Sequence, residues 1–86
     1  MKFEFTVRFG RQYKKLPKEL RERVGEQLSR LAEDPTHPSL RVKRIQRSLG
    51  IWEASVTDSI RFTFSVGDRT YVLRNLGDHD HVFHNP

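Results

Sequence analysis

Three side chains in the second half of the chain have the types needed for proton transfer beside a phosphate: Glu53, Arg61 and His79. An imidazole takes up or releases a proton near neutral pH, and a carboxylate can accept one. The guanidinium of Arg61 stays protonated and offers parallel donors to phosphate oxygens. These types suit metal-free RNA cleavage, in which the ribose 2′-hydroxyl attacks its own phosphorus and leaves a 2′,3′-cyclic phosphate and a 5′-hydroxyl.

The residue types leave two of these roles open. Glu53 would be the most economical general base if it faces Arg61 across adjacent strands, and it would serve equally as an ion-pair partner that holds Arg61 in place. His79 suits either proton step, as the acid or as the base. The tail around His79 also carries metal-ligating types, but ligands crowded into one short segment rarely close a metal site. We therefore expect a solvated tail and no metal.

Length and charge restrict the class of protein. Eighty-six residues without cysteine allow one domain, 1–86, with a small core and neither a disulfide nor a thiolate. Residues 1–47 carry thirteen basic and six acidic side chains, and the whole chain has a net charge of +5, which favours a phosphate-rich partner. We recognise no signal peptide and no apolar run near the ~20 residues that span a bilayer. These features predict a cytoplasmic protein with no membrane partner.

Hydrophobic periodicity predicts the elements that must position the three side chains. A period of two predicts a first strand at 1–7, and helical spacing predicts helices at 8–16 and 18–33. Alternation then predicts four more strands, at 40–45, 51–56, 60–66 and 70–76, and the polar tail that follows has room for a last helical turn. The fold class is α+β, in the order β-α-α-β-β-β(-β), with two helices packed on one face of a mainly antiparallel sheet.

The opposite face of this sheet would be open to water and polar. The residues that alternate with the apolar ones define it: Arg41, Lys43, Glu53, Ser55, Arg61 and Thr63, with Arg74 as a further candidate. By the same alternation Trp52 belongs to the core rather than to a base-stacking surface.

Two stretches resemble the RelE/ParE superfamily of bacterial toxins. Leu49-Gly50-Ile51-Trp52, followed by Ser59-Ile60-Arg61-Phe62-Thr63-Phe64, is similar to the middle of that family. The spacing Gly77-x-His79-x-x-x-Phe83 resembles the ending of its RelE-like and YafQ-like branch. The order of elements, the chain length and the basic charge agree with the family across nearly the whole chain.

The resemblance implies the toxin of a type II toxin–antitoxin pair. RelE-like members cleave messenger RNA, commonly in the ribosomal A site, and need no metal or organic cofactor. Their partners are thus mRNA, the ribosome and a cognate antitoxin protein, and promoter DNA is bound only through the antitoxin complex. Two alternatives remain: ParE-like members share the fold but inhibit DNA gyrase by protein binding, and a non-catalytic member would bind only RNA or antitoxin.

The resemblance also implies roles for individual residues. By position, Arg61 would bind the scissile phosphate, Arg74 would supply a second cation, and His79 would act as acid or base; with Glu53 they form the expected catalytic set. The expected RNA-binding residues are Lys43, Arg44, Arg47, His81 and Phe83.

Two departures from the family pattern matter. Phe83 replaces a tyrosine, so it can stack but cannot exchange a proton. Glu53-Ala54-Ser55 stands where many members carry arginines, so the phosphate charge there must be met from elsewhere.

Overall fold

The computed structural model describes residues 1–46 and 50–86. Within them lie five strands and three α-helices: β1 Lys2–Phe5, α1 Val7–Lys15, α2 Lys18–Glu33, β2 Lys43–Gln46, β3 Ile51–Ser55, β4 Ile60–Gly67, β5 Thr70–Asp78 and α3 His79–His84. A short 3₁₀ helix, Pro38–Leu40, joins α2 to β2. The predicted α+β class and the predicted order of elements are confirmed.

The two N-terminal helices start and pack as their sequences dictate. Thr6 caps α1, because its Oγ1 accepts the Phe9 N–H at 3.2 Å, and its hydroxyl donates to the Leu73 carbonyl of β5 at 2.8 Å. Helix α2 follows Pro17, whose fixed φ suits a helix start, and it buries Val24 and Leu31 completely. Among the described residues no helix is both long and apolar enough to cross a membrane.

The sheet has the strand order β1-β5-β4-β3-β2. Among the strands that the structure describes, β1 and β5 pair in parallel and the other three pairs are antiparallel, so the prediction of a mainly antiparallel sheet is confirmed. The core lies between α1, α2 and one sheet face, and its fully buried members include Leu31, Ala54, Phe62 and Leu73. Trp52 packs against this cluster, as predicted.

The strand predicted at 40–45 begins three residues later than expected. Pro38–Leu40 forms the 3₁₀ helix instead, capped by His37, whose Nδ1 accepts the Ser39 N–H at 3.2 Å, and Leu40 is fully buried. Arg41 then takes a left-handed conformation with φ of 47° and pairs with Asp58 at 2.6 Å. Arg41 therefore does not belong to the polar sheet face, where we had expected it.

The face opposite α1 and α2 is polar, but it is not open to water as predicted. Glu53, Ser55 and Thr63 are only 2%, 3% and 0% exposed. Helix α3 packs across β4 and β5 on this side and buries Val82 completely. A polar face covered by a short helix is a cleft in which charged groups are partly shielded from water.

Strand β5 contains a bulge. Leu73 pairs with Phe64 and Asn75 pairs with Thr63, so Arg74 is the extra residue on its strand. A bulge reverses the alternation that follows it, and here it turns Asn75 toward α3 while Leu76 joins the core.

Candidate active site

Two rows of residues cross the α3 face of the sheet. The first row runs from β2 to β5 through Lys43, Glu53, Thr63 and Asn75. The second runs from β3 to β5 through Ser55, Arg61 and Gly77. Directly opposed residues in a sheet have Cβ atoms about 4.5–5.5 Å apart, so strand pairing alone gathers these polar groups.

Four side chains converge where these rows meet helix α3, and we call them the Glu53 cluster: Lys43, Glu53, Arg61 and His79. The same oxygen, Glu53 Oε1, lies 3.7 Å from Lys43 Nζ, 3.8 Å from Arg61 Nε and 3.5 Å from His79 Nδ1. Lys43 and Arg61 bring two positive charges against the one negative charge of Glu53. The cluster therefore keeps an excess of positive charge for an anionic ligand.

Three buried atoms of the cluster have no hydrogen-bond partner among the described residues: Glu53 Oε2, Arg61 Nε and His79 Nδ1. Leaving a buried polar group unpaired costs about 1–3 kcal/mol, and unpaired groups in folded proteins call for an explanation, such as a catalytic role. Here an acceptor and two nitrogens are unpaired within a few ångströms of one another. A ligand with both a hydroxyl and an anionic group would complement them, but all three atoms are buried, so the cluster must open to admit it.

Arg61 is held in a fixed orientation within this cluster. Its Nη1 donates to the Ser55 hydroxyl one strand away, and its side chain is only 14% exposed. Gly77 lies opposite Arg61 in β5, and the His81 ring packs over it, so closely that a Cβ there would come within 3.0 Å of that ring. The guanidinium is thus restrained by its neighbours on the sheet.

His79 and Phe83 enter the site from helix α3. Asp78 caps this helix by accepting the His81 N–H at 2.9 Å, and the His79 N–H donates to the Ser59 carbonyl at 3.1 Å. His79 and Phe83 are one helical turn apart, with ring centroids at 6.0 Å. Phe83 is 50% exposed, so an accessible aromatic ring stands beside the imidazole.

Two of the other predicted site residues lie elsewhere. Arg44 pairs in register with Trp52, on the face opposite Lys43, and its guanidinium lies 4.7 Å from the Trp52 ring centroid. His81 lies on the side of α3 that faces α1, where its Nε2 is 3.5 Å from Gln12 Nε2. Neither residue contacts the Glu53 cluster, and Arg47 lies outside the described residues.

Arg74 lies near the cluster without joining it. Its Nε donates to the Pro86 carbonyl at 3.1 Å, and the Thr63 hydroxyl donates to the same oxygen at 3.1 Å. Thr63 is the neighbour of Glu53 in the first row. Arg74 is therefore a further cation at the edge of the site, hydrogen-bonded to the chain segment that follows α3.

The tail histidines do not gather as metal ligands. His79 faces Glu53 and His81 faces Gln12, in different directions from the helix. In the part of the chain that the structure describes, no group of three or more His, Cys, Asp or Glu side chains is placed to hold a metal ion.

Sequence reasoning missed two amides that adjoin the site, the partly buried Gln12 and the buried Asn75. Gln12 Nε2 donates to Asn75 Oδ1 at 2.5 Å, and Asn75 is fully buried. The sequence of β5 does contain a signal for Asn75. The apolar residues Tyr71 and Leu73 are two positions apart, but Leu73 and Leu76 are three apart, which breaks the alternation of a regular strand. That break predicts a bulge, and with it the turn of Asn75 onto the polar face.

Comparison with known proteins identifies relatives by fold but not by sequence. No protein-family model and no curated protein matches the chain, whereas several solved structures match nearly all of it. A YoeB/ParE toxin from Agrobacterium tumefaciens superimposes with a TM-score of 0.79 at 15% identity, over 92% of this chain and 99% of that one. YafQ from E. coli strain BL21(DE3) gives 0.77 at 16% identity, over 94% and 96%.

A third match includes a bound partner. In the heterotetrameric complex of the YoeB–YefM toxin–antitoxin from Staphylococcus aureus, the matching chain superimposes with a TM-score of 0.75 at 14% identity, over 92% of this chain and 97% of that one. At such identities the similarity establishes that this chain has the fold of these toxins.

Proposed function

We propose that this chain, which has the fold of those toxins, is the toxin of a type II toxin–antitoxin system and a metal-independent endoribonuclease that cleaves mRNA at the ribosome. The observation that carries the proposal is the Glu53 cluster. A buried carboxylate with one unpaired oxygen lies within 4 Å of a restrained guanidinium and an imidazole. The sequence resemblance to the RelE-like branch supports the same chemistry.

In the proposed mechanism, the cluster opens to admit the RNA, and the Glu53 carboxylate then accepts the proton of the ribose 2′-hydroxyl. The 2′-oxygen then forms a bond to phosphorus while the bond from phosphorus to the 5′-oxygen breaks. Arg61, with Lys43 beside it, binds the non-bridging oxygens and stabilises the extra charge that develops on them. A protonated His79 donates the proton that the departing 5′-oxygen needs and is left as a neutral imidazole.

The proposal includes the partners of such a toxin. A cognate antitoxin would hold it inactive, by analogy with the toxin–antitoxin complex from S. aureus, and promoter DNA would be bound only through that antitoxin complex. The net charge of +5 favours an acidic segment that folds on binding. The site of action, in this proposal, is the cytoplasm.

The proposed activity is tested by mapping RNA ends. We expect the purified chain, added to translating ribosomes, to produce site-specific 5′-hydroxyl and 2′,3′-cyclic phosphate ends in the mRNA. Cleavage of free RNA with and without EDTA tests the metal requirement. Cleavage of free RNA and of ribosome-bound mRNA in the same buffer tests the ribosome requirement. Intact messages together with gyrase-dependent DNA breaks would contradict the proposal and favour ParE-like inhibition of gyrase.

Adjacent residues Lys43 and Arg44 provide a matched pair of variants. Lys43 faces the Glu53 cluster, so Lys43→Ala should lower kcat/KM about tenfold and reduce the salt dependence of RNA binding by about one phosphate contact. Arg44 packs on Trp52 from the other face, so Arg44→Ala should leave kcat/KM within about twofold and cost about 0.5–1 kcal/mol of unfolding free energy. Equal losses of cleavage in the two variants would contradict this assignment.

Phe83 should stack on a base next to the cleaved bond. Base–aromatic stacking contributes about 1–3 kcal/mol, so Phe83→Leu should lower kcat/KM about tenfold, whereas Phe83→Tyr, which keeps the ring, should stay within about twofold. Because Phe83 is half exposed, both variants should unfold within about 0.5 kcal/mol of wild type. Wild-type cleavage by Phe83→Leu, measured on a short oligonucleotide, would exclude the stacking role.

A further inference from the structure

A pair of hydrogen-bonded amides, partly buried Gln12 and fully buried Asn75, joins helix α1, strand β5 and the end of helix α3. Gln12 of α1 reaches β5, where its Oε1 accepts the Leu76 N–H at 2.8 Å. Its Nε2 donates to Asn75 Oδ1 at 2.5 Å. Asn75 Nδ2 in turn donates to the Asn85 carbonyl, just beyond the last turn of α3, at 2.5 Å. The proposed cleavage mechanism makes no use of either amide.

The orientation of both amides is determined by the network itself. The Leu76 N–H can only donate, and it donates to Gln12 Oε1 at 2.8 Å and to Asn75 Oδ1 at 2.9 Å, so both oxygens must face it. The nitrogen of Gln12 must then face an acceptor, which is the oxygen of Asn75. The nitrogen of Asn75 is left for the Asn85 carbonyl. Each polar group therefore has a partner of the opposite kind, and reversing either amide would bring like groups together.

Helix α3 depends on such attachments because it is only six residues long. An isolated helix of this length is unstable in water. Its first turn is fastened by the Asp78 cap and the Ser59 carbonyl, and its middle by buried Val82. Its last turn is fastened through Asn85, whose N–H and side-chain amide both donate to the His81 carbonyl, at 3.0 and 3.1 Å.

Asn75 also lies in the same cross-sheet row as Glu53. Thr63 stands between them, with Glu53 on one side and Asn75 on the other. The residue that fastens the end of α3 and the carboxylate that faces His79 are thus fixed to one another by strand pairing. The separation of 3.5 Å between His79 Nδ1 and Glu53 Oε1 is bridged by no hydrogen bond among the described residues. It must be maintained by the way α3 is held against the sheet.

We propose that Asn75, oriented by Gln12, is a positioning residue. It fastens α3 and thereby holds the His79 imidazole beside Glu53, in the position from which it donates its proton to the 5′-oxygen. This inference rests on the proposed nuclease function and adds a residue to it that touches no substrate. A displacement of about 1 Å in a reacting group can cost about 10²-fold in rate. Loss of the attachment should therefore lower kcat while leaving RNA binding by Lys43 and Arg61 intact.

Asn75→Asp tests the proposal with minimal change of shape. The carboxylate keeps an oxygen for Gln12 but cannot donate to the Asn85 carbonyl. We expect kcat to fall about tenfold with KM changed less than twofold, and Gln12→Glu to act in the same direction. Val24→Ala serves as the control, since it removes buried carbon from α2, which packs on the other face of the sheet. At a temperature where all variants are folded, that control should keep the wild-type kcat.

A spectroscopic readout separates this inference from the proposed function. In Asn75→Asp the chemical shifts of the His79 ring should change, because they depend on its position relative to the Phe83 ring and the Glu53 carboxylate. The chemical shifts of His37, which caps the 3₁₀ helix, should not change. Unchanged His79 signals, or a kcat equal to wild type, would overturn the positioning role. A wild-type chain that cleaves no RNA would contradict the proposed function instead, and the His79 signals would still test whether Asn75 sets the position of the ring.

Discussion

Arg61→Ala should lower kcat/KM for RNA cleavage by about 10³-fold. The restrained guanidinium is the cation best placed to bind the phosphate, because Ser55 fixes one of its nitrogens and Nε faces the cluster unpaired. Removing it takes away both ground-state binding and stabilisation of the charge that develops on phosphorus. We therefore expect KM to rise as well as kcat to fall, as measured by single-turnover cleavage of a labelled oligonucleotide.

The matched control removes a positive charge without touching the site. Arg69 lies in the β4–β5 turn with φ of 53°, a conformation that asparagine tolerates. Arg69→Asn should keep kcat/KM within about twofold. Arg61→Lys retains the charge but loses the parallel donors, so its activity should lie between those of wild type and Arg61→Ala. If Arg61→Ala and Arg69→Asn lost activity equally, net charge rather than a phosphate site would explain the effect.

Glu53→Gln should lower kcat by about 10²–10⁴-fold without raising KM. The amide has nearly the same shape but cannot accept the 2′-hydroxyl proton. It also removes a negative charge from beside the phosphate, so RNA should bind as tightly as to wild type or more tightly. Binding is measured with an oligonucleotide that lacks the attacking 2′-hydroxyl, so that cleavage does not interfere.

The same variant decides between the two roles that the sequence leaves open for Glu53. If the carboxylate only held Arg61 in place, Glu53→Gln would loosen the guanidinium, raise KM and change kcat less than about tenfold. A large fall in kcat with KM unchanged or lower would favour the general base. Thermal unfolding provides the control. The buried carboxylate balances the charges of Lys43 and Arg61, so its replacement affects stability, and kinetic constants are compared only among variants that are folded.

Local sequence patterns were sufficient to predict most elements. Helix α2 has the predicted bounds, 18–33, since its apolar spacing is regular and prolines stand on both sides. Alternation along β3 and β4 also placed Glu53 and Arg61 on one face, and strand pairing then brings them together. These features depend on residues that are close together in the sequence, which is why they can be predicted from the sequence alone.

The remaining features depend on contacts between distant segments. Helix α3 is short and polar, so its periodicity does not reveal that Val82 is buried or that the helix covers Glu53 and Thr63. The sequence does predict that Lys43 and Arg44 lie on opposite faces, because Arg44 stands two residues after Val42 and therefore shares its face. We grouped Arg44 with the RNA-binding residues by family position, whereas its contact with Trp52 reflects alternation.

The parallel pairing of β1 with β5 has a consequence for the order in which the protein forms. Lys2 pairs with Thr70 and Phe5 with Leu73, so β1 cannot pair until β5, more than sixty residues further along the chain, has been synthesised. Pairings between such distant segments form slowly. The sheet is therefore completed only after residues 70–73 have been synthesised, and the Glu53 cluster only after His79 of α3 has followed them.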